Sequence, residues 1–193
     1  MRFSLVCLAL YLTAAVIPVY ARSVDLNLND HAFRAMYTGS FTSTGPYSAL
    51  EGQAGFLFRS TGHGHQDIEL PHLGLLVTGN AGTPNVKAGV GGRFLYLNSG
   101  PADGFALALG GRVHYTLPQY NRIGFGAHMY FAPSVVATHD INNYFEYGVR
   151  ADYEVLRNAY AYVGYRQIKV NIHGPGGYTT LDSGINVGMH LKF

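Results

Sequence analysis

Charged side chains are scarce in this chain of 193 residues. Asp, Glu, Lys and Arg together make up 12% of it, and the formal net charge at pH 7 is +2. Soluble domains average about 25% charged residues, so the composition does not favour an ordinary soluble domain. A nearly neutral balance also provides no basic surface for a phosphate backbone, and no nucleic-acid partner is expected.

Cysteine and catalytic motifs are almost absent as well. Cys7 is the only cysteine, which excludes a disulfide framework. No G-x-S-x-G nucleophile motif occurs. The glycine pairs Gly91-Gly92 and Gly110-Gly111 fall inside predicted strands rather than ahead of a helix, so they do not form a phosphate-binding loop. The sequence predicts no enzyme, no cofactor and no metal site.

Glycine and tyrosine are plentiful by contrast. The chain has 25 glycines and 15 tyrosines, and aromatic residues make up 13% of it. Tyrosine is enriched at membrane interfaces, and outer-membrane barrels alternate apolar outward residues with polar inward ones. The composition therefore suits a sheet that has one face in lipid.

The N-terminus has the features of a secretory signal peptide. A short positive start, Met1-Arg2, precedes an apolar stretch from Phe3 to Val19, and Val19-Tyr20-Ala21 places small residues at the −3 and −1 positions. This pattern predicts a signal peptide of residues 1–21 and a single domain of residues 22–193. The alternative is a single N-terminal membrane anchor. No later apolar stretch is long enough for a spanning helix.

Apolar and polar residues alternate along most of the remaining chain. In the last nine residues, Ile185, Val187, Met189, Leu191 and Phe193 alternate with polar or small residues. The same period of two recurs over residues 86–96, 105–117, 122–132 and 145–155. A tilted membrane strand needs about 9–11 residues, whereas soluble strands average about 5–6. The pattern therefore predicts long membrane strands, and Pro71 predicts a bulge or a stretch outside the sheet near the start of its segment.

The number of strands follows from counting these segments. Eight strands follow Ala49, and two apolar patches, Val24–Leu28 and Phe33–Tyr37, supply two more. Bacterial single-chain barrels have even strand numbers, so we predict ten strands, with eight as the alternative. Short connections alternate with roomier ones, which is the pattern of periplasmic turns and outer loops and places the C-terminus on the periplasmic side.

A sheet in lipid must close on itself because its unpaired edge groups would find no hydrogen-bond partner. We therefore predict an all-β fold, a transmembrane antiparallel up-and-down β-barrel. The alternative is a soluble lipocalin-like barrel whose apolar face surrounds a hydrophobic ligand. The polar faces favour the membrane barrel, because they contain glycine with scattered histidines and charges rather than the Lys, Glu, Thr and Ser of a solvated surface.

Three stretches resemble the YfaZ family of predicted outer-membrane proteins. They are Gly89–Asn98 (GVGGRFLYLN), Asp103–Gly111 (DGFALALGG) and Ala161–Arg166 (AYVGYR). The resemblance extends over most of the mature chain, roughly residues 51–193. It implies an outer-membrane location, and it implies no activity and no functional residues.

The inward faces of the predicted strands gather the charged residues, because Lys or Arg on the lipid face at the midplane costs about 2–4 kcal/mol. One interpretation is that these charges pair across the lumen and fill a small barrel. The other is a charge-lined pore for small solutes. The predicted lumen cluster consists of Lys87, Arg93, Arg112, Glu146, Arg150, Asp152, Glu154, Arg166 and Lys192.

Histidines raise two further hypotheses. His114, His128 and His190 share the polar faces with acids, so a barrel enzyme that acts on outer-membrane lipids is an alternative function. Its candidate partners on the polar or nearby positions are Ser134, Ser183 and Asn186. His63 and His65 lie in a predicted outer loop, where a His-x-His pair without a fixed third ligand is a weak metal site.

The most consistent reading is a non-enzymatic integral protein of the cell outer membrane with a structural role or a narrow porin-like passage. Expected partners are outer-membrane lipid, lipopolysaccharide and the barrel-assembly machinery. The machinery would read the C-terminal signal formed by Met189, Leu191 and Phe193. We expect a monomer whose lumen is closed or very narrow, because open aqueous channels belong to barrels of about 16 or more strands.

Overall fold

The computed structural model describes residues 22–45, 48–60, 67–99, 103–172 and 178–193, so the predicted signal peptide lies outside the described residues. The described ranges form ten β-strands and one short 3₁₀ turn, Ser134–Val136. No helix in these ranges combines the length and the hydrophobicity needed to cross a membrane. The strands are β1 (Arg22–Leu28), β2 (Ala32–Gly45), β3 (Ser48–Arg59), β4 (Ile68–Asn80), β5 (Val86–Asn98), β6 (Asp103–Thr116), β7 (Ile123–Ala132), β8 (Ile141–Leu156), β9 (Ala159–Ile172) and β10 (Tyr178–Lys192).

The sheet is a closed antiparallel barrel. Each strand pairs with its neighbours in sequence, and β1 also pairs with β10, for example through Leu26 opposite Met189. Next to this seam the Phe193 N–H donates to the Arg22 carbonyl (2.9 Å), and the Arg22 N–H donates to the Phe193 carbonyl (3.0 Å). The predicted ten-stranded all-β barrel is confirmed, and the two N-terminal apolar patches form β1 and β2.

Leucine, valine and aromatic side chains cover the outside of the barrel. On β6, the residues Phe105, Leu107, Leu109, Val113 and Tyr115 are all exposed and share one face. Ten residue steps of about 3.4 Å along a strand tilted by about 40° give a height of about 25 Å, which matches the apolar band of outer-membrane barrels. A continuous apolar surface of this kind requires lipid around it. The membrane barrel is therefore confirmed over the soluble one.

The two ends of the barrel differ. The tight-turn end, as we name it, carries the connections that follow β4, β6 and β8 together with Arg22 and Phe193. The opposite end, the loop end, carries the connections that follow β1, β3, β5, β7 and β9. There residues 133–140 run back along β6, where the Thr138 N–H donates to the Phe105 carbonyl (2.9 Å) and Ala137 bridges Ala106. This segment continues the wall beyond the end of β7, which is shorter than β6 and β8.

Near the loop end the lumen is filled by apolar side chains. On β9, Ile168 and Val170 are fully buried, whereas the alternate residues Gln167, Lys169 and Asn171 are not. Fully burying a large apolar side chain stabilises a fold by about 1.5–3 kcal/mol. Side chains from eight strands form this layer, which we call the plug: Leu57, Ile68, Leu70, Leu95, Leu97, Ala106, Ala108, Tyr130, Ala132, Ile141, Tyr144, Ile168, Val170 and Leu181.

At Gly91 and Gly110 the backbones of neighbouring strands leave no room for a side chain. The two glycines lie opposite each other on β5 and β6. A Cβ on Gly91 would overlap the carbonyl oxygen of Leu75, and one on Gly110 would overlap the carbonyl oxygen of Met129. Because these obstacles are backbone atoms of the neighbouring strands, no side chain can turn aside to make room, and only glycine allows the close approach.

Candidate functional site

Between the plug and the tight-turn end the lumen holds a cavity of about 820 Å³. Its lining includes Pro84, Asn158 and Phe193, which all lie at the tight-turn end, so the cavity opens there. Of the plug residues that the structure describes, Tyr130 alone contributes to the lining. The cavity is therefore closed toward the loop end.

Glu146 is the centre of an ion-pair network where the cavity meets the plug. Its carboxylate accepts hydrogen bonds from Arg34 Nη1 (3.1 Å), Arg93 Nη1 (2.8 Å) and the Tyr144 hydroxyl (2.5 Å). His128 Nε2 lies 3.2 Å from Glu146 Oε1. The side chain of Glu146 is 1% exposed. A carboxylate buried this deeply is stable only with such charged and hydrogen-bonding partners, which here come from β2, β5, β7 and β8.

A second network centres on Asp25 of β1. The Asp25 carboxylate accepts hydrogen bonds from Arg150 Nη1 (2.9 Å) and from the Tyr162 hydroxyl (2.6 Å), and His190 Nδ1 lies 3.5 Å away. Arg150 Nε is also 3.6 Å from Asp152 Oδ1. This network connects β1 with β8, β9 and β10 across the seam at which the barrel closes.

Arg166 forms the centre of a third network on the same side. Its Nε donates to Asp182 Oδ2 (2.8 Å) and its Nη1 donates to Asn27 Oδ1 (2.9 Å), while Asn27 Nδ2 donates to Asn186 Oδ1 (2.7 Å). A register shift between Thr180 and Asp182 interrupts the pairing of β10 with β9 at this level. The bulge buries both Leu181, in the plug, and Asp182, in this network.

Closer to the cavity mouth, Glu51 pairs with Arg112 and accepts a hydrogen bond from the Thr78 hydroxyl (2.8 Å). His114 Nε2 lies 3.0 Å from Asp152 Oδ2. These side chains are more exposed than the Glu146 network, with 34% for Arg112 against 3% for Arg93. Solvent access therefore increases from the plug toward the tight-turn end.

The structure places the nine charged residues of the predicted lumen cluster in two groups. Six of them form ion pairs: Arg93, Arg112, Glu146, Arg150, Asp152 and Arg166. Among the residues that the structure describes, Lys87, Glu154 and Lys192 form no ion pair. Lys192 Nζ instead lies 4.3 Å from the centre of the Tyr160 ring.

Sequence reasoning missed several partners of these residues. The predicted cluster does not include Asp25, Arg34, Glu51 or Asp182, although each of them forms an ion pair with one of its residues. Their position on the polar side of the alternation was the available signal. It could not reveal which distant strand they would face.

The histidines do not assemble a nucleophile site in the described part of the chain. Each of His114, His128 and His190 lies beside a carboxylate. Ser183 instead bonds the Tyr165 hydroxyl (3.0 Å) in an exposed position, and Asn186 bonds Asn27. A general base must be within hydrogen-bond reach of the group it activates, whereas the side-chain bonds of Ser183 to Tyr165 and of Asn186 to Asn27 do not involve a histidine.

A metal site finds no support in the described residues either. No group of three His, Cys, Asp or Glu side chains comes together there in an arrangement that could hold a metal ion. The predicted His63 and His65 pair lies outside the described residues.

Comparisons with known proteins give a family and a set of similar barrels. A family model described as "YfaZ precursor" matches residues 1–193. The search of curated proteins returned no match. The chain is similar in structure to the KdgM porin in complex with disordered oligogalacturonate (TM-score 0.48, 12% identity, 90% of this chain and 99% of that chain).

Two larger outer-membrane proteins are also similar to the chain. One is DcaP of Acinetobacter baumannii, an outer membrane channel (TM-score 0.43, 11% identity, 89% of this chain and 62% of that chain). The other is OmpT of Vibrio cholerae, an outer membrane protein in its trimer form (TM-score 0.42, 11% identity, 84% of this chain and 56% of that chain).

Proposed function

We propose that this chain, which belongs to the YfaZ family over its whole length, is a non-enzymatic outer-membrane β-barrel that conducts no solute in the closed state described above. Its lumen then serves first as an internal core that holds the ten strands together. The observation that carries this proposal is the plug, because it crosses the lumen at one level with fully buried apolar side chains such as Leu95, Leu97 and Tyr144.

The charged networks support the same proposal. A pore for ions needs polar groups that face water, yet Arg34 and Arg93 both pair with Glu146, and all three residues are buried. Arg93 is also held by Tyr130, since its guanidinium carbon lies 3.9 Å from the centre of that ring. These groups act as cross-links between strands, and they leave no free path beside them in a barrel of this size.

For the orientation, we propose that the tight-turn end faces the periplasm. Outer-membrane barrels have short periplasmic turns and longer outer loops. The cavity would then open to the periplasm, and the plug would seal the outer side. Met189, Leu191 and Phe193, which are exposed on the closing strand, would be the signal for the barrel-assembly machinery, and lipid with lipopolysaccharide would surround a monomer.

The test is single-channel conductance of the refolded barrel in planar lipid bilayers. The wild type should show no resolved steps. The Leu97→Ala/Tyr130→Ala double variant, which removes plug volume at the cavity boundary (Tyr130) and deeper in the plug (Leu97), should show small steps. A matched control is Tyr153→Ala, which makes the same tyrosine change on the exposed outer face and should stay silent.

Folding of each variant is verified by faster migration of the unboiled sample on a gel. Clear steps from the wild type would contradict the closed-barrel proposal and favour the narrow porin-like passage. The narrow porin-like passage is the second candidate function. The cavity supports it only as a path for solutes from the tight-turn end to the plug.

A further inference from the structure

The cavity carries an excess of positive charge that the barrel itself does not neutralise. Eight arginine and lysine residues line it, against three side-chain carboxylates, those of Asp25, Glu51 and Asp152. Two more carboxylates, Glu146 and Asp182, lie behind this lining and are bound by lining arginines. The described cavity therefore contains eight cations for five carboxylates.

The unneutralised cations are concentrated at the mouth. Every lining arginine from β2 to β9 has a carboxylate partner within ion-pair distance. The remaining cations, Arg22, Lys87 and Lys192, form no ion pair with any residue that the structure describes. They belong to β1, β5 and β10 and are exposed at the tight-turn end.

The shape of the cavity fits a small solute. Pockets that bind small molecules have volumes of about 300–1,000 Å³ and place a few polar groups around the ligand, and this cavity of about 820 Å³ lies in that range. A cleft with low-dielectric walls and one sign of charge concentrates ions of the opposite sign. Lys87 and Lys192 provide flexible ammonium groups that can each bind a carboxylate or phosphate oxygen.

We infer that this cavity binds a small soluble polyanion, a molecule with two or more phosphate or carboxylate groups, that enters from the tight-turn end. The ligand would bridge Lys87 and Lys192 at the mouth, and its remaining charge would lie in the field of Arg112 and Arg150 deeper inside. The inference rests on the proposed closed lumen in one respect: the ligand can enter the cavity only from the tight-turn end.

The experiment is isothermal titration calorimetry of the refolded barrel in nonionic detergent micelles, with tripolyphosphate as the probe and sucrose as the neutral control. We expect one tripolyphosphate per barrel and no heat from sucrose. Lys87→Gln/Lys192→Gln should weaken the affinity for tripolyphosphate at least about tenfold, because it removes two charge-assisted contacts. The binding should also weaken as salt is raised.

The matched control is Arg122→Gln/Arg157→Gln. It removes the same charge from the same end of the barrel, but both arginines are exposed on turns and do not line the cavity. Its affinity for tripolyphosphate should change by less than about threefold, since only the distant field is altered.

Three results would overturn the inference: no binding by the wild type, several ions per barrel, or equal weakening by the two double variants. None of these depends on conductance. Conversely, wild-type conductance in bilayers would contradict the closed barrel but would not change the measured affinity for tripolyphosphate. A failure of the closed-barrel proposal can therefore be distinguished from a failure of the polyanion inference.

Discussion

Replacing Glu146 by glutamine should be among the most damaging single changes inside this barrel. The substitution keeps the size of the side chain and removes its negative charge. Arg34 and Arg93 would then lose the carboxylate they share, at distances of 3.1 and 2.8 Å. Both arginines are buried where the cavity meets the plug, so little water reaches them to take the place of the lost counterion.

The expected cost follows from this geometry. Removing one partner of a buried ion pair destabilises a protein by about 3–5 kcal/mol, because an uncompensated charge is left behind. Glutamine retains one oxygen that can accept from Arg93 and the Tyr144 hydroxyl, which share Glu146 Oε2, but its amide nitrogen would then face Arg34, which donates to Oε1. We therefore expect Glu146→Gln to lower the free energy of unfolding by about 3–5 kcal/mol.

The assay is urea unfolding in lipid vesicles, followed by the shift in gel mobility between the folded and the unfolded barrel. Glu154→Gln is the matched control, since it makes the same change on the same strand at a residue with no ion pair in the described structure, and it should cost about 0–1 kcal/mol. Adding Arg93→Gln to Glu146→Gln should restore part of the loss. A difference below about 1 kcal/mol between the two glutamine variants would refute the reasoning about the buried network.

Two further outcomes test the wall of the barrel. Leu109→Arg should cost about 2–4 kcal/mol, because Leu109 lies on the lipid face in mid-strand, whereas Leu156→Arg beside a turn should cost about 0–1 kcal/mol. The same urea titration measures both, and equal losses would contradict the assigned position of the lipid band. Gly91→Ala should sharply lower the yield of heat-modifiable folded barrel, because its Cβ would overlap the Leu75 carbonyl, whereas Gly92→Ala has ordinary contacts of 3.6 Å or more and should fold normally. Equal yields from the two glycine variants would show that β4 and β5 can move apart.

Much of the outer wall could be predicted from the sequence. On β6, β7 and β8 every second residue is apolar, and these residues are the ones on the outer face. The prediction works because lipid requires an apolar side chain at every outward position.

The plug was not predicted, because apolar residues occupy both faces there. Phe94-Leu95-Tyr96-Leu97 is a continuous apolar run. The period of two over residues 86–96 places Phe94 and Tyr96 on the outer face, but it gives no sign that apolar residues also fill the lumen. In the barrel, Leu95 and Leu97 are fully buried and Phe94 is exposed. The ion-pair partners were hidden for a related reason, since Asp25 meets Arg150 only once β1 has closed against β10.

Pro71 also behaves differently from the prediction of a bulge or of a stretch outside the sheet. It lies within β4 and faces Phe56 of β3 in unbroken register. The pairing of β4 with β5 instead skips from Glu69 to His72. Because proline has no N–H to donate, the gap falls on the β5 side, and one neighbouring strand is enough to hold the residue in the wall.

The two halves of the lumen differ in polarity and in packing, and this difference limits what the barrel can do. Toward the loop end an apolar plug fills the interior, so a charged solute there would have to give up its water without new partners, at a cost of several kcal/mol. Toward the tight-turn end the interior is polar and open, and cations outnumber carboxylates. Passage would require the plug to rearrange, whereas binding requires no change. A role for this lumen therefore depends first on what reaches the tight-turn end.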